Sequence, residues 1–319
     1  MKNVKLYQTD ILSPRIDWNA DKIIIRTNSE LNLLELAMDN TNFYDLYTSL
    51  LKHDYMLYFH VMEKSYFIKR KLIYQVWHRR DLLRASETFY TLEKPSGVRS
   101  GQSNKLVVVF SSMPHEDNSI SSNIAERCIF HNYPSLVKHL LPNTYVIRIM
   151  DCNLTCGSYY LNTSNYPDFE RDVQNIIRTV AYNLSVASDD IVLFGISKGG
   201  TGALYHSILG NYHALVVDPL FSLSKYIIEG DSHFTQQYFP EKLTSLFKKQ
   251  KNHSQVQLTK VIIGVPSVQE NYCEYIQLKE SWLRVIDIYD KDITEHGQIG
   301  SHTMIEQVTY INGMLLGKI

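Results

Sequence analysis

The chain has 319 residues, 44% of them hydrophobic, 20% charged and 12% aromatic, and its 32 Lys and Arg against 33 Asp and Glu leave a net charge of −1. This composition excludes a disordered chain, a collagen-like repeat and a small disulfide scaffold, and it supplies no whole-chain basic field to hold nucleic acid or an anionic membrane. The cysteines Cys128, Cys152, Cys156 and Cys273 are sparse and irregular, which suits a reducing compartment; Cys152-x-x-x-Cys156 lacks the second pair that a metal site needs.

The N-terminal residues lack the apolar core and small-residue cleavage site of a signal peptide, and no stretch approaches the roughly 20 apolar residues of a membrane helix. A cytoplasmic protein without a membrane span is therefore expected. Residues 1–95 read as an N-terminal α+β extension of unclear role, with an amphipathic helix over 31–51. The basic, aromatic stretch 64–84 reads as a helix or strand with a solvated charged face and an aromatic core side. A cluster of Pro, Gly and Ser over 94–104 reads as a linker, placing a boundary near residue 100 and a second unit over 96–319.

Beyond the linker come short, continuous, β-branched runs at 106–110, 145–150, 191–194, 214–217, 260–263 and 283–289. Longer amphipathic stretches such as 169–184 and 304–316 separate or follow them. Runs apolar throughout suit strands covered on both faces, so the pattern predicts a doubly wound α/β unit with a mostly parallel sheet.

Within it, Gly195-Ile196-Ser197-Lys198-Gly199 follows an apolar strand and opens a Gly/Ala-rich helix. A G-x-S-x-G turn in that context lifts one serine out of the sheet on a strained backbone, making Ser197 the expected nucleophile. The spacing does not fit a phosphate-binding P-loop. Serine needs a base and an acid, arriving later in the chain in the order Ser, acid, His. His302 is the expected base because it follows a Gly-flanked loop after the last strand, with His296 its rival in the same loop. Glu270 is the expected acid, from the loop after the 260–263 strand; Asp218, Asp290 and Asp292 are alternatives. His206, His213, His233 and His253 read as ordinary core or surface histidines. The Lys198 N–H and a backbone N–H of Ser112 or Met113, after the first strand of the unit, are the expected oxyanion donors.

Residues 107–114 and 194–200, with a late Gly300-Ser301-His302, resemble an α/β-hydrolase-type group of bacterial capsule-locus proteins, the XcbB/CpsF-type capsular polysaccharide biosynthesis family. The likeness covers roughly residues 88–319. More distantly, the chain resembles the serine-dependent capsule O-acetyltransferases and the accessory-secretion acetyltransferases that modify glycan on surface adhesins. The resemblance implies acetyl transfer to a polysaccharide hydroxyl, with acetyl-CoA as donor, no permanently bound cofactor, and other capsule-biosynthesis enzymes as partners. Carried over by position, Ser197 would be the acetylated nucleophile, His302 the base and Glu270 the acid. The same triad with water as acceptor would be an esterase, and an idle site would leave a non-enzymatic assembly subunit. Aromatic residues expected to line an acceptor cleft are Phe221, Tyr226, His233, Phe234 and Tyr238, with Tyr159, Tyr160 and Tyr166.

Overall fold

The β-branched runs become strands, and the structure, a computed structural model that describes residues 4–319 apart from 78, 129–131, 229, 252–256 and 279, arranges them in two sheets. The N-terminal part contains β1 (Leu6–Asp10), β2 (Lys22–Arg26), α1 (Leu33–Asp39), α2 (Thr41–Lys52), β3 (Tyr55–Val61) and β4 (Lys64–Lys69). Next come β5 (Leu83–Ala85), β6 (Thr88–Glu93), β7 (Lys105–Phe110), α3 (Glu116–Ser119), α4 (Ile124–Cys128), β8 (Thr144–Ile149) and α5 (Phe169–Asn183). They lead into β9 (Ile191–Ile196), α6 (Lys198–Gly210), β10 (His213–Val217), α7 (Ser224–Ile228), α8 (Thr244–Lys251) and β11 (Lys260–Gly264). The chain closes with α9 (Gln269–Tyr275), β12 (Leu283–Asp287), α10 (His296–His302) and α11 (Met304–Leu315).

The larger sheet has the order β12-β11-β10-β9-β7-β8-β6-β5. It is parallel from β12 to β8 and antiparallel at β6 and β5. In β7 the alternate side chains explain why the run is apolar throughout. Leu106, Val108 and Phe110 enter a core shared with α5 and α6, while Val107 and Val109 enter a second core shared with α11. Each such buried side chain contributes about 1.5–3 kcal/mol, so both faces favour the strand. From β7 the chain passes to β8 on one side and returns to β9 on the other. The carboxyl ends of β7 and β9 therefore flank a topological switch point, where open α/β sheets place their ligands.

The N-terminal sheet has the order β1-β2-β4-β3, with only β1 and β2 parallel. The single helix expected over 31–51 is two helices, broken at Asn40, whose side chain accepts from Asn42 N at 2.9 Å and Phe43 N at 3.2 Å and so caps α2. The boundary expected near residue 100 falls inside the larger sheet, because the β5–β6 hairpin precedes the linker and pairs with β8. The extension also shares its core with the rest of the chain: Tyr47 meets Phe234 at 4.8 Å between ring centroids, and Tyr44 OH donates to Asp231 Oδ2 at 2.6 Å. Among the described residues, no helix is long and apolar enough to cross a membrane.

Candidate active site

Ser197 sits between β9 and α6 with φ 55° and ψ −122°, a conformation that costs a non-glycine residue about 1–3 kcal/mol. The surroundings hold it there. Ser197 N–H donates to Val217 O at 2.9 Å, tying the turn to β10. A Cβ on Gly195 would lie 2.2 Å from Gly199 O, and one on Gly199 would lie 2.2 Å from Phe110 O. Both glycines are thus set by the close approach of α6 to β9 and β7, and the strand-turn-helix has the form read from the sequence.

Ser197 Oγ lies 2.8 Å from His296 Nε2, and His296 Nδ1 lies 2.5 Å from Asp218 Oδ2. Asp218 directly follows β10, is wholly buried, and accepts further bonds from Asn271 Nδ2 at 3.1 Å and Tyr275 OH at 2.8 Å. Burial, reinforced by the neighbouring carboxylate, pushes the Tyr275 phenol far above the ordinary tyrosine range, so it remains a donor. With Asp218 accepting at Nδ1, the neutral imidazole carries that proton and turns its Nε2 lone pair toward the serine hydroxyl. The His296 side chain is 23% exposed, whereas Asp218 is sealed beneath it. A buried acid, a half-buried base and a strained serine in hydrogen-bond series can activate the hydroxyl for attack on an acyl carbon.

Two expected residues lie elsewhere. His302 is at the far end of α10, where Nδ1 meets Asp290 Oδ2 at 3.4 Å and both side chains are about one-third exposed. The glycine-containing stretch read as a loop is helical, so the six residues from His296 to His302 rise about 9 Å and turn the side chain to another face. Gly300 lets α10 approach β9, since a Cβ there would sit 3.1 Å from Ile196 Cδ1. Glu270 is exposed on α9, while its neighbour Asn271 and, one turn later, Tyr275 face inward to Asp218. Asp290 and Asp292 are also outside the Asp218–His296–Ser197 hydrogen-bond series, both near the surface. Asn271 and Tyr275 were missed by sequence reading, although their i,i+4 spacing places them on one helix face.

Lys198 is the first residue of α6, and its N–H is one of the helix-start amides without an intrahelical acceptor. Ser112 N–H is taken up by Asn132 Oδ1 at 3.2 Å, which leaves Met113 as the remaining candidate from that pair. The Lys198 side chain turns away into the interior. Its Nζ is fully buried, donating to Cys156 O at 2.8 Å and standing 3.4 Å from Asp151 Oδ2. Burial raises the Asp151 pKa and Lys198 opposes that rise. Gly157, at φ +99°, makes room for the pair, because a Cβ there would lie 2.4 Å from Asp151 Oδ2 and 2.5 Å from Lys198 Nζ.

The aromatic residues expected to line a cleft mostly pack in the core instead: Tyr159, Tyr160, Phe221 and Phe234 are wholly buried and Tyr166 nearly so. Tyr160 OH stitches β7 to β8, accepting from Ser111 N at 2.6 Å and donating to Ile149 O at 2.9 Å. Tyr226, His233 and Tyr238 are half-buried. His206 and His213 are buried, and His253 lies outside the described residues. Among the described residues, no cluster of three His, Cys, Asp or Glu could hold a metal ion.

Residues 133–264 match the family model described as accessory Sec system GspB-transporter. That stretch contains Ser197 and Asp218 but not His296. The fold is similar to a chain of the glycosylation-associated protein Gap123 complex of Streptococcus agalactiae, with 16% identity over 73% of this chain and a TM-score of 0.50. The match spans only 45% of that chain. It is also similar to the capsule O-acetyltransferase of Neisseria meningitidis serogroup A, at 14% identity and TM-score 0.51, covering 72% of this chain and 93% of that one. A histidine-to-alanine variant of that enzyme in complex with CoA gives 15% identity and TM-score 0.53, covering 72% and 94%. At these identities the likeness shows a shared α/β fold. Both the capsule O-acetyltransferase and the accessory-secretion likenesses expected from the sequence recur in these names; the XcbB/CpsF-type family does not. Comparison with curated protein sequences finds no match.

Proposed function

We propose that this chain is a serine-dependent acyl-transfer enzyme of the α/β-hydrolase type, which moves acetyl from acetyl-CoA to a hydroxyl of a cell-surface polysaccharide through an ester on Ser197. The observation that carries the reading is the unbroken hydrogen-bond series from Asp218 through His296 to Ser197 at the switch point. The choice of donor and acceptor is supported by the fold shared with a capsule O-acetyltransferase that binds CoA. A glycan acceptor and work alongside partner proteins are favoured by the accessory Sec family match and the likeness to a glycosylation-associated protein complex.

In this mechanism Ser197 Oγ attacks the thioester carbonyl as its proton passes to His296 Nε2, and Asp218 stabilises the imidazolium formed. The oxyanion is met by the Lys198 N–H at the helix start, with Met113 N–H as second donor. Collapse breaks the C–S bond, and His296 returns its proton to the departing CoA sulfur. A sugar hydroxyl then gives its proton to His296 while its oxygen attacks the acetyl-serine carbonyl. The second collapse releases O-acetyl sugar and restores the Ser197 hydroxyl with the proton held by His296.

Product analysis with labelled acetyl-CoA, with and without an oligosaccharide acceptor, tests the proposal. O-acetylated sugar and faster discharge of Ser197 are expected when acceptor is added. Equal discharge without glycan, with free acetate as the only product, would make the protein an esterase.

A further inference from the structure

Asp218 is held by more than its histidine. It leaves β10 with φ +40°, and its N–H donates to Ile263 O at 3.0 Å on the neighbouring strand β11. Its buried carboxylate accepts three hydrogen bonds: Oδ1 takes Tyr275 OH, and Oδ2 takes both His296 Nδ1–H and Asn271 Nδ2–H. Orienting one imidazole uses one of these bonds. The other two come from a single face of α9, four residues apart.

The backbone leaves room for the phenol. A Cβ on Gly264, the last residue of β11, would lie 2.3 Å from Tyr275 OH. Tyr275 is wholly buried and Asn271 nearly so, and Asn271 Nδ2 also stands 3.1 Å from His296 Nδ1. Both therefore reach the serine only through Asp218 and His296.

Two effects follow from this arrangement. With donors on both oxygens the carboxylate cannot turn freely, and Oδ2 stays on the His296 side. The two neutral donors also share the negative charge, and hydrogen bonds to the charged form of an acid favour that form. Whichever of Asp218 and His296 holds an extra proton, the pair takes it up less readily when the carboxylate is stabilised in this way. Nε2 is then free to accept the serine proton at lower pH. The other groups around the pair are few. Ser197 faces it from the β9–α6 turn; Asp287 at the end of β12 lies behind Tyr275, where Tyr272 OH donates to it at 2.9 Å; and Glu295, exposed, caps α10. We propose that Asn271 and Tyr275 are positioning residues of the acyl-transfer site, which aim Asp218 at His296 and extend toward acid the pH range in which His296 acts as base. This assignment rests on the acyl-transfer reading above.

The test compares the full chain with Tyr275→Phe, Asn271→Ala and, as control, Tyr272→Phe, which removes a hydroxyl from the other tyrosine of α9 without touching Asp218. Hydrolysis of p-nitrophenyl acetate from about pH 5 to 9 gives kcat/KM, whose acid limb reports ionisation of the free enzyme. NMR of the 13C-labelled His296 ring, identified as the resonance missing in His296→Gln, follows the same proton without turnover. In Tyr275→Phe and Asn271→Ala the acid limb and the NMR midpoint should move to higher pH by about half to one unit. The plateau should fall about tenfold. Tyr272→Phe should match the wild-type chain on both readouts, and thermal unfolding checks each fold. No displacement in folded Tyr275→Phe or Asn271→Ala, a displacement to lower pH, a fall in rate without displacement, or an equal displacement in Tyr272→Phe would overturn the assignment. A folded wild-type chain that hydrolyses no ester would count against the acyl-transfer reading alone, because the NMR titration still reads the coupling of α9 to His296.

Discussion

Replacing Asp218 by asparagine would remove the carboxylate on which His296, Asn271 and Tyr275 converge. The carboxylate only accepts, and all three partners donate to it. An amide has one acceptor oxygen and brings donors of its own, so the three bonds cannot all survive. The simplest relief is for His296 Nδ1 to lose its proton and accept from the new amide, which places the proton on Nε2, facing Ser197. That tautomer cannot take the serine proton. The expected loss in kcat/KM is about 10³–10⁴-fold, or roughly 4–5.5 kcal/mol of transition-state stabilisation. The displaced buried donor should cost about 1–3 kcal/mol of stability. Hydrolysis of p-nitrophenyl acetate near neutral pH measures the first effect and urea unfolding the second. An Asp218→Asn protein that keeps more than about a tenth of wild-type activity would show that Asp218 does not orient the base.

Three further outcomes follow from the surrounding structure. Gly157→Ala should destabilise by several kcal/mol in chemical denaturation, because its Cβ would overlap the buried Asp151–Lys198 pair at a backbone φ of +99°; near-wild-type stability would contradict the packing described. His206 donates through Nε2 to Tyr160 O at 2.9 Å and accepts from Gln174 on Nδ1 at 3.0 Å, and burial lowers its pKa to about 4. Its folded pKa lies below the unfolded value of about 6.5, so the unfolded chain binds the extra proton first and stability should fall by about 3 kcal/mol as pH drops from 6.5 toward 4. His206→Gln should flatten that part of the urea-derived stability profile; an unchanged slope would assign the acid sensitivity to other groups. Gly195→Ala should fail to yield a folded protein, since a Cβ 2.2 Å from a backbone oxygen cannot be relieved by side-chain motion, and a well-folded variant on circular dichroism would refute this.

The mostly parallel sheet and the turn that carries Ser197 were legible because both are local signals: continuous β-branched runs for strands covered on both faces, and glycines placed where backbone segments touch. The hydrogen-bond partners of Ser197 depend on where separate elements meet. Two glycines in α10 imitate a loop, yet helix propensity is only a weak prior beside burial of Ile299 and the packing of Gly300 on Ile196. A signal for the helix start was present in Gln298, whose Oε1 accepts from Thr294 N at 2.8 Å and Glu295 N at 3.3 Å, making His296 its first residue. Asp218 looked like one of several carboxylates after strands. What sets it apart is the pair of inward donors on α9, visible only once that helix is placed. The hairpin ahead of the linker was missed because β5 is three residues long and partly exposed, and only its pairing through β6 joins it to the larger sheet. Arg70 illustrates the reverse error: within a stretch read as having a solvated basic face, it is held inside by Asp54 and Glu87.

The most direct test of the account is intact-mass analysis after incubation with acetyl-CoA, followed by peptide mapping. The wild-type chain and His302→Ala should each gain one acetyl group, located on Ser197, whereas Ser197→Ala and His296→Ala should gain none. Acetylation that persists in a folded His296→Ala protein and is lost in His302→Ala, or an acetyl group mapped to a residue other than Ser197, would contradict it.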